Sequence, residues 1–195
     1  MRTASIVINA AIFACTLIVI LSYFRNDGKW EIECGRRMFR FFTVLSNAFC
    51  GLAALLMAVN QLGGEASPLV LRLKYLGTVS VTVTLVTVLV FLVPFQGGAK
   101  KWLTGGNIYM HLVGPIMAIL SFCLLEKREM SLAAAMTGLL PLLLYGAVYL
   151  YKVKFAPEGQ RWEDVYGFDR GGMWPISCIA MVAMTAVICV LFYLA

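Results

Sequence analysis

The chain has 195 residues, of which 61% are hydrophobic and 13% charged, with a mean hydropathy of +0.85. A soluble domain of this length needs far more polar surface to cover its core, so the composition excludes that class and implies a polytopic membrane protein. The net charge of +6 does not make the chain a nucleic-acid binder, because its basic residues sit mostly in short loops, where they report orientation.

Crossing about 30 Å of hydrocarbon takes roughly 20 apolar residues in a helix. Six runs have that length: 4–24, 38–61, 67–94, 105–125, 131–153 and 172–194. They are continuous rather than alternating, which predicts helices and not a barrel. The expected fold is all-α, a bundle of six transmembrane helices forming one domain over 1–195 with no room for a soluble one.

In chain order, the first run follows Arg2 like a signal peptide. It is too long for a signal core, and "AIFAC" comes too early for a cleavage site, so it is expected to remain as a span. The first loop, "RNDGKWEIECGRR", is mixed-charge and interfacial, with Trp30 as an anchor. The second span opens with "FRFFTVLSN", in which Thr43, Ser46 and Asn47 share one helix face at i, i+3 and i+4. "QLGGEASP" makes a turn into the third span, whose "GTVSVTVTLVTVLV" carries hydroxyls at Thr78, Ser80, Thr82, Thr84 and Thr87. Back-bonding to the carbonyl one turn earlier and close helix packing are the ordinary explanation for these.

The third loop, "PFQGGAKKWLTGGN", leads to the fourth span and the chain's only histidine, His111, in "GGNIYMHLVGP". Pro115 has no N–H for the His111 carbonyl and loosens the helix there. Gly114 leaves space, and Asn107 lies one turn earlier on the same face. The link "EKREMS" is so short that the fourth and fifth spans are expected to be antiparallel neighbours. The fifth loop, "KFAPEGQRWEDVYGFDRGG", is the longest and is rich in aromatics and acids.

The sixteen basic residues divide unevenly. Arg2, Arg72, Lys74, Lys127 and Arg128 fall on the side of the termini, and the other eleven on the side of the first, third and fifth loops. This split predicts that the odd-numbered loops are cytoplasmic and the termini outside. Five of the six cysteines lie inside apolar runs at no ligand spacing, and there is no CxxC, paired histidine, phosphate loop or GxSxG. No metal or cofactor is expected.

Spans two and four run in the same direction, with Thr43 about five residues and His111 about six residues inside their starts, so both are expected roughly 8–9 Å below one boundary. A hydroxyl facing an imidazole is an arrangement for nucleophilic catalysis: a neutral ring takes the hydroxyl's proton as the oxygen attacks a carbonyl. Ser46, Asn47 or Asn107 is a candidate to support the substrate or the developing oxyanion.

"FFTVLSN" at the head of the second span, with the lone histidine of "YMHLVGP" at the head of the fourth, resembles the androgen-induced and androgen-dependent integral membrane threonine hydrolases. It is also similar to a group of bacterial six-span relatives. The resemblance implies a six-helix membrane enzyme that cleaves fatty acid esters of hydroxy fatty acids (FAHFA), with Thr43 as nucleophile, His111 as base, lipid as partner and no cofactor. The stretch "YLYKVKFAPEGQRWEDVYGFD" is similar to the bacterial relatives and makes Trp162, Asp164 and Tyr166 candidates for a lid or for orienting His111. Three alternatives remain open: a lipid acyltransferase using the same pair, a small transporter or lipid-binding protein with His111 as gate, and a structural subunit in which Thr43 and His111 stand well beyond hydrogen-bond reach. Against transport stand the lack of internal repeats and of intramembrane acids.

Overall fold

A bilayer core offers no water to backbone N–H and C=O groups, so a spanning segment must bond them internally. The chain obeys this rule throughout. The computed structural model describes residues 1–195 and is 77% helical. In chain order its helices are α1 (Arg2–Ser22), α2 (Ile32–Met38), α3 (Phe42–Leu62), α4 (Pro68–Phe95), α5 (Gly98–Trp102), α6 (Gly106–Glu126), α7 (Leu132–Phe155) and α8 (Trp174–Leu194). Six of them, α1, α3, α4, α6, α7 and α8, are long and apolar enough to cross a membrane. The protein is an all-α, multi-pass membrane protein.

The strands are β1 (Arg25–Asn26) and β2 (Lys29–Trp30), a small antiparallel hairpin in the first loop. Its two-residue turn is Asp27-Gly28, both at positive φ (47° and 79°), the conformation an Asp-Gly hairpin turn requires. Phe24 stacks on Trp30 at 5.4 Å beside it. The span expected at 38–61 is one unbroken helix that starts later, at Phe42. α2 ends at Met38, residues 39–41 form tight turns back to Arg36, Arg37 and Met38, and Phe41 is extended (φ −93°, ψ 135°) as the N-cap of α3.

The chain forms two compact units, Met1–Glu129 and Met130–Ala195. In the first, α3 lies between α1 and α4 at very close range. A Cβ on Gly51 would stand 3.1 Å from Thr16 Cγ2, and one on Gly77 would stand 2.9 Å from the Cα of Cys50. Small residues at such crossings let helices gain dispersion contact where lipid offers no hydrophobic drive. Ile12, Cys50, Ala54, Val81 and Ala118 form a buried core from α1, α3, α4 and α6.

Four of the five α4 hydroxyls back-bond as expected from the sequence, whereas Thr87 Oγ1 is buried without a hydrogen-bond partner. Thr78, Ser80 and Thr82 donate to the carbonyls of Lys74, Leu76 and Thr78 at 2.9, 2.7 and 2.8 Å, and Thr84 donates to that of Ser80 at 3.4 Å. Ser67 caps α4 at Val70 N–H, with Pro68 in the first turn, where its missing N–H costs nothing. Arg2 reaches the carbonyls of Gln61 and Leu62 (2.6 and 2.9 Å), closing the C-terminal end of α3. In the second unit, Ser131 caps α7 at Ala134 N–H, and the segment after α7 folds around Tyr149, whose ring meets those of Trp162, Tyr166 and Phe168.

Candidate functional site

His111 is the sixth residue of α6 and 4% exposed. It sits in a π-helical turn, Tyr109–Val113, closed by Gly114 N–H donating to the carbonyl of Tyr109. In a regular α-helix that N–H would go to Met110. Residue 115 is proline and has none to offer, so the Met110 carbonyl loses both of its local donors. Asn47 Nδ2 supplies the replacement from α3, at 3.0 Å. π-turns of this kind concentrate at functional sites.

The ring of His111 is held by the third loop. Its Nδ1 is 2.6 Å from the carbonyl oxygen of Trp102. A carbonyl only accepts, so the proton is on Nδ1 and Nε2 carries the lone pair. Trp102 is itself fixed: its indole N–H donates to the Gln96 carbonyl at 3.0 Å, its ring lies 6.1 Å from the imidazole, and Lys101 Nζ stands 4.9 Å over the indole. The orienting group is therefore a backbone carbonyl of the third loop, not Asp164. Both Asp164 oxygens are taken up in the second unit, Oδ1 by Tyr149 Oη (3.0 Å) and Phe168 N–H (2.8 Å), Oδ2 by Asp169 N–H (2.8 Å). Trp162 and Tyr166 belong to the ring cluster on Tyr149 in that same unit.

Thr43 is the second residue of α3 rather than five residues inside it, because the helix starts late, at Phe42. Its tie to the helix of His111 runs through a neighbouring residue. Asn47, one turn after Thr43, is bonded to Met110, the residue before His111, and α3 and α6 run in the same direction. Thr43 is half-buried, and no hydrogen bond joins its hydroxyl to the imidazole in this structure.

Asn47 and Ser46 are engaged elsewhere. The two amide hydrogens of Asn47 go to the carbonyls of Thr43 (2.8 Å) and Met110 (3.0 Å), which leaves none for an oxyanion. Ser46 Oγ bonds the Thr43 carbonyl at 3.1 Å and Thr84 Oγ1 at 2.9 Å. Both are struts beneath Thr43. Asn107 remains as a donor: it is half-buried, one turn before His111, and its side-chain amide makes no hydrogen bond. The backbone N–H of Thr43 is a second, in a first turn that Phe41 leaves without a side-chain cap.

The sequence reading overlooks a second polar cluster in the same unit. Lys74 does not belong among the loop charges: it is 0% exposed, inside α4. Nor is the membrane domain free of buried acids, because Glu126, closing α6, is 5% exposed. Ser5 (2.8 Å), Ser121 (2.6 Å) and Asn9 Nδ2 all donate to Glu126 Oε1, and Lys74 Nζ donates to Asn9 Oδ1 at 2.6 Å. The signal was present in Ser5 and Asn9, polar at i and i+4 of an otherwise apolar helix, and in a lysine six residues after Pro68.

No protein-family model matches the chain, and no match was found among curated proteins or solved structures.

Proposed function

We propose that the protein is an integral membrane hydrolase of lipid carboxylic esters, with Thr43 as nucleophile and His111 as general base. The observation that carries this reading is the state of His111: a buried imidazole whose Nδ1–H is tied to a backbone carbonyl, leaving Nε2 as a proton acceptor. A histidine serving only to bind helices together would spend its polar atoms on the neighbouring helix. This one is aimed by its own third loop, while the helix that bears it is fastened to the helix that bears Thr43.

The ester enters from the bilayer with its carbonyl near the headgroup level, where α3 and α6 begin. Thr43 Oγ1 attacks the carbonyl carbon as its proton passes to His111 Nε2, and the tetrahedral oxyanion takes hydrogen bonds from Asn107 and the Thr43 N–H. The alcohol leaves with the proton from His111. Water, deprotonated by the same nitrogen, then releases the acid and restores Thr43. The Thr43–His111 hydrogen bond that this requires forms with substrate in place, as catalytic hydrogen bonds often tighten only in the Michaelis complex. The substrate of this reading is a fatty acid ester of a hydroxy fatty acid or a related lipid ester. With Lys74 removed from the loop charges, the basic excess of the first, third and fifth loops is larger, which supports a cytoplasmic site.

The test is ester hydrolysis by purified protein in detergent or nanodiscs. Thr43→Ala and His111→Ala should each lose about a hundredfold or more. Full activity in both variants, or an acyl-enzyme still trapped on Thr43→Ala, overturns the mechanism.

A further inference from the structure

The hydrolase reading leaves one hydroxyl of α4 without a task. Thr87 Oγ1 is buried and has no hydrogen-bond partner, although Thr78, Ser80, Thr82 and Thr84 on the same helix each donate to a carbonyl one turn earlier. A buried hydroxyl without a partner has given up water and gained nothing in exchange. Thr87 forgoes a bond that its helix offers to any threonine.

Its place in the fold relates it to the candidate nucleophile. α3 and α4 are antiparallel neighbours, and Ser46 Oγ and Thr84 Oγ1 meet between them at 2.9 Å. Three residues back along α3 stands Thr43, and three residues on along α4 stands Thr87. Residues three apart share a helix face, and three residues climb about 4.5 Å. Both threonines therefore lie one step nearer the third-loop boundary, on the faces that α3 and α4 turn to each other. Thr43 also lies one turn before Asn47, which faces α6, so it stands at the seam between α4 and α6. Its hydroxyl makes no hydrogen bond either. Immediately after Thr87 comes a π-turn, Val88–Leu92, closed by Val93 N–H donating to the Val88 carbonyl, and the next residue is Pro94. The turn at His111 is built alike, with Gly114 closing it before Pro115. Two π-turns of one design thus stand on either side of the third loop, and α4 packs against the second of them.

We infer that Thr87 is a positioning residue for the nucleophile: its hydroxyl donates a hydrogen bond to Thr43 Oγ1 while Thr43 directs its own hydrogen at His111 Nε2. Threonine keeps two side-chain rotamers open in a helix, so the bond calls for a side-chain rotation. As the Thr43 proton passes to His111, negative charge grows on Oγ1, and a hydrogen bond to a charged oxygen is stronger than one to a neutral hydroxyl. The bond therefore favours the reacting state over the resting one. Thr87 itself touches no substrate, and no covalent bond is made or broken on it. This inference rests on the hydrolase reading.

The test compares Thr87→Val and Thr87→Ser in the full-length protein in nanodiscs, by ester kinetics and thermal unfolding. Valine keeps the shape and removes a hydroxyl that has no partner, so the unfolding temperature should hold or rise. In the same variant kcat should fall about ten- to a hundredfold with KM unchanged, since the lost bond is one made to a charged oxygen in the reacting state. Serine restores the hydroxyl and should recover most of kcat. Full kcat in Thr87→Val, beside an active wild type and an inactive Thr43→Ala, overturns this inference and leaves the hydrolase reading standing. A loss of kcat that serine does not recover, or that comes with a lower unfolding temperature, means a packing role and overturns it as well. A wild type that hydrolyses no ester removes the hydrolase reading, and this inference with it.

Discussion

Asn47 Nδ2 lies 3.0 Å from the carbonyl oxygen of Met110, so the residue one turn after Thr43 is bonded to the residue immediately before His111. Because the same amide holds the Thr43 carbonyl at 2.8 Å, one side chain sets the register between the two helices that carry the candidate nucleophile and base. Asn47→Leu keeps the volume and removes both donors. It should lower stability by about 1–3 kcal/mol, the cost of leaving a buried carbonyl unpaired. Ester hydrolysis should fall with it, mainly in kcat. Thermal unfolding in detergent and steady-state kinetics measure the two effects.

Gly77 tests the close crossing of α3 and α4. A Cβ there would sit 2.9 Å from the Cα of Cys50, a backbone atom that cannot swing aside. Gly77→Ala should therefore destabilise by about 1–3 kcal/mol despite alanine's better helix propensity. An unchanged or raised unfolding temperature would show that the helices separate at no cost.

Lys74 and Glu126 should be strongly coupled. Lys74→Met strands a buried carboxylate and Glu126→Gln a buried ammonium, each costing about 3–5 kcal/mol. The double variant should be much less damaged than the sum of the two, because no charge is left unmatched. Equal additivity in a double-mutant cycle would mean the pair does not interact.

In the first loop, Glu31 Oε2 accepts hydrogen bonds from Asn26 (2.8 Å) and from the Cys34 thiol (3.2 Å). These bonds hold the Glu31 carboxyl below its ordinary range, and the bond to Glu31 pushes the Cys34 thiol up. A raised thiol is less ionised at neutral pH, and only the thiolate is nucleophilic. Alkylation of Cys34 should be slow at pH 7 and speed up several-fold in Glu31→Gln, as followed by mass spectrometry of the labelled peptide.

The six spans and the self-bonding of four of the five α4 hydroxyls are legible in the sequence because both depend on spacing along one helix. The loosening of α6 at His111 is legible for the same reason, from Pro115. What Asn47 does is not. Its partner is a carbonyl orphaned by a π-turn on another helix, and nothing local to "TVLSN" specifies that meeting. Trp102 escapes a sequence reading in a similar way, since it orients His111 through its backbone carbonyl, an atom every residue has. Lys74 reads as a boundary charge because one lysine near the end of a long apolar run scarcely lowers its hydropathy. Only the positions of Asn9 and Glu126 turn it into a buried one.

The cluster around Lys74 also has an order of assembly. Ribosomes add about 5–20 residues per second, and Glu126 is made about fifty residues after Lys74, so α4 must be held in the membrane for roughly 3–10 seconds before its counter-charge exists. A lone lysine costs up to about 2.5–3.5 kcal/mol at the centre of a membrane helix on insertion scales, and less near an end, where Lys74 lies. Asn9 is the partner that can lower that cost in advance. It arrives on the first helix, and its side-chain oxygen is the one atom that the Lys74 ammonium hydrogen-bonds in the finished protein. Loss of that acceptor should therefore appear first as mis-inserted α4 in newly made chains, read by glycosylation-site mapping of Asn9→Leu.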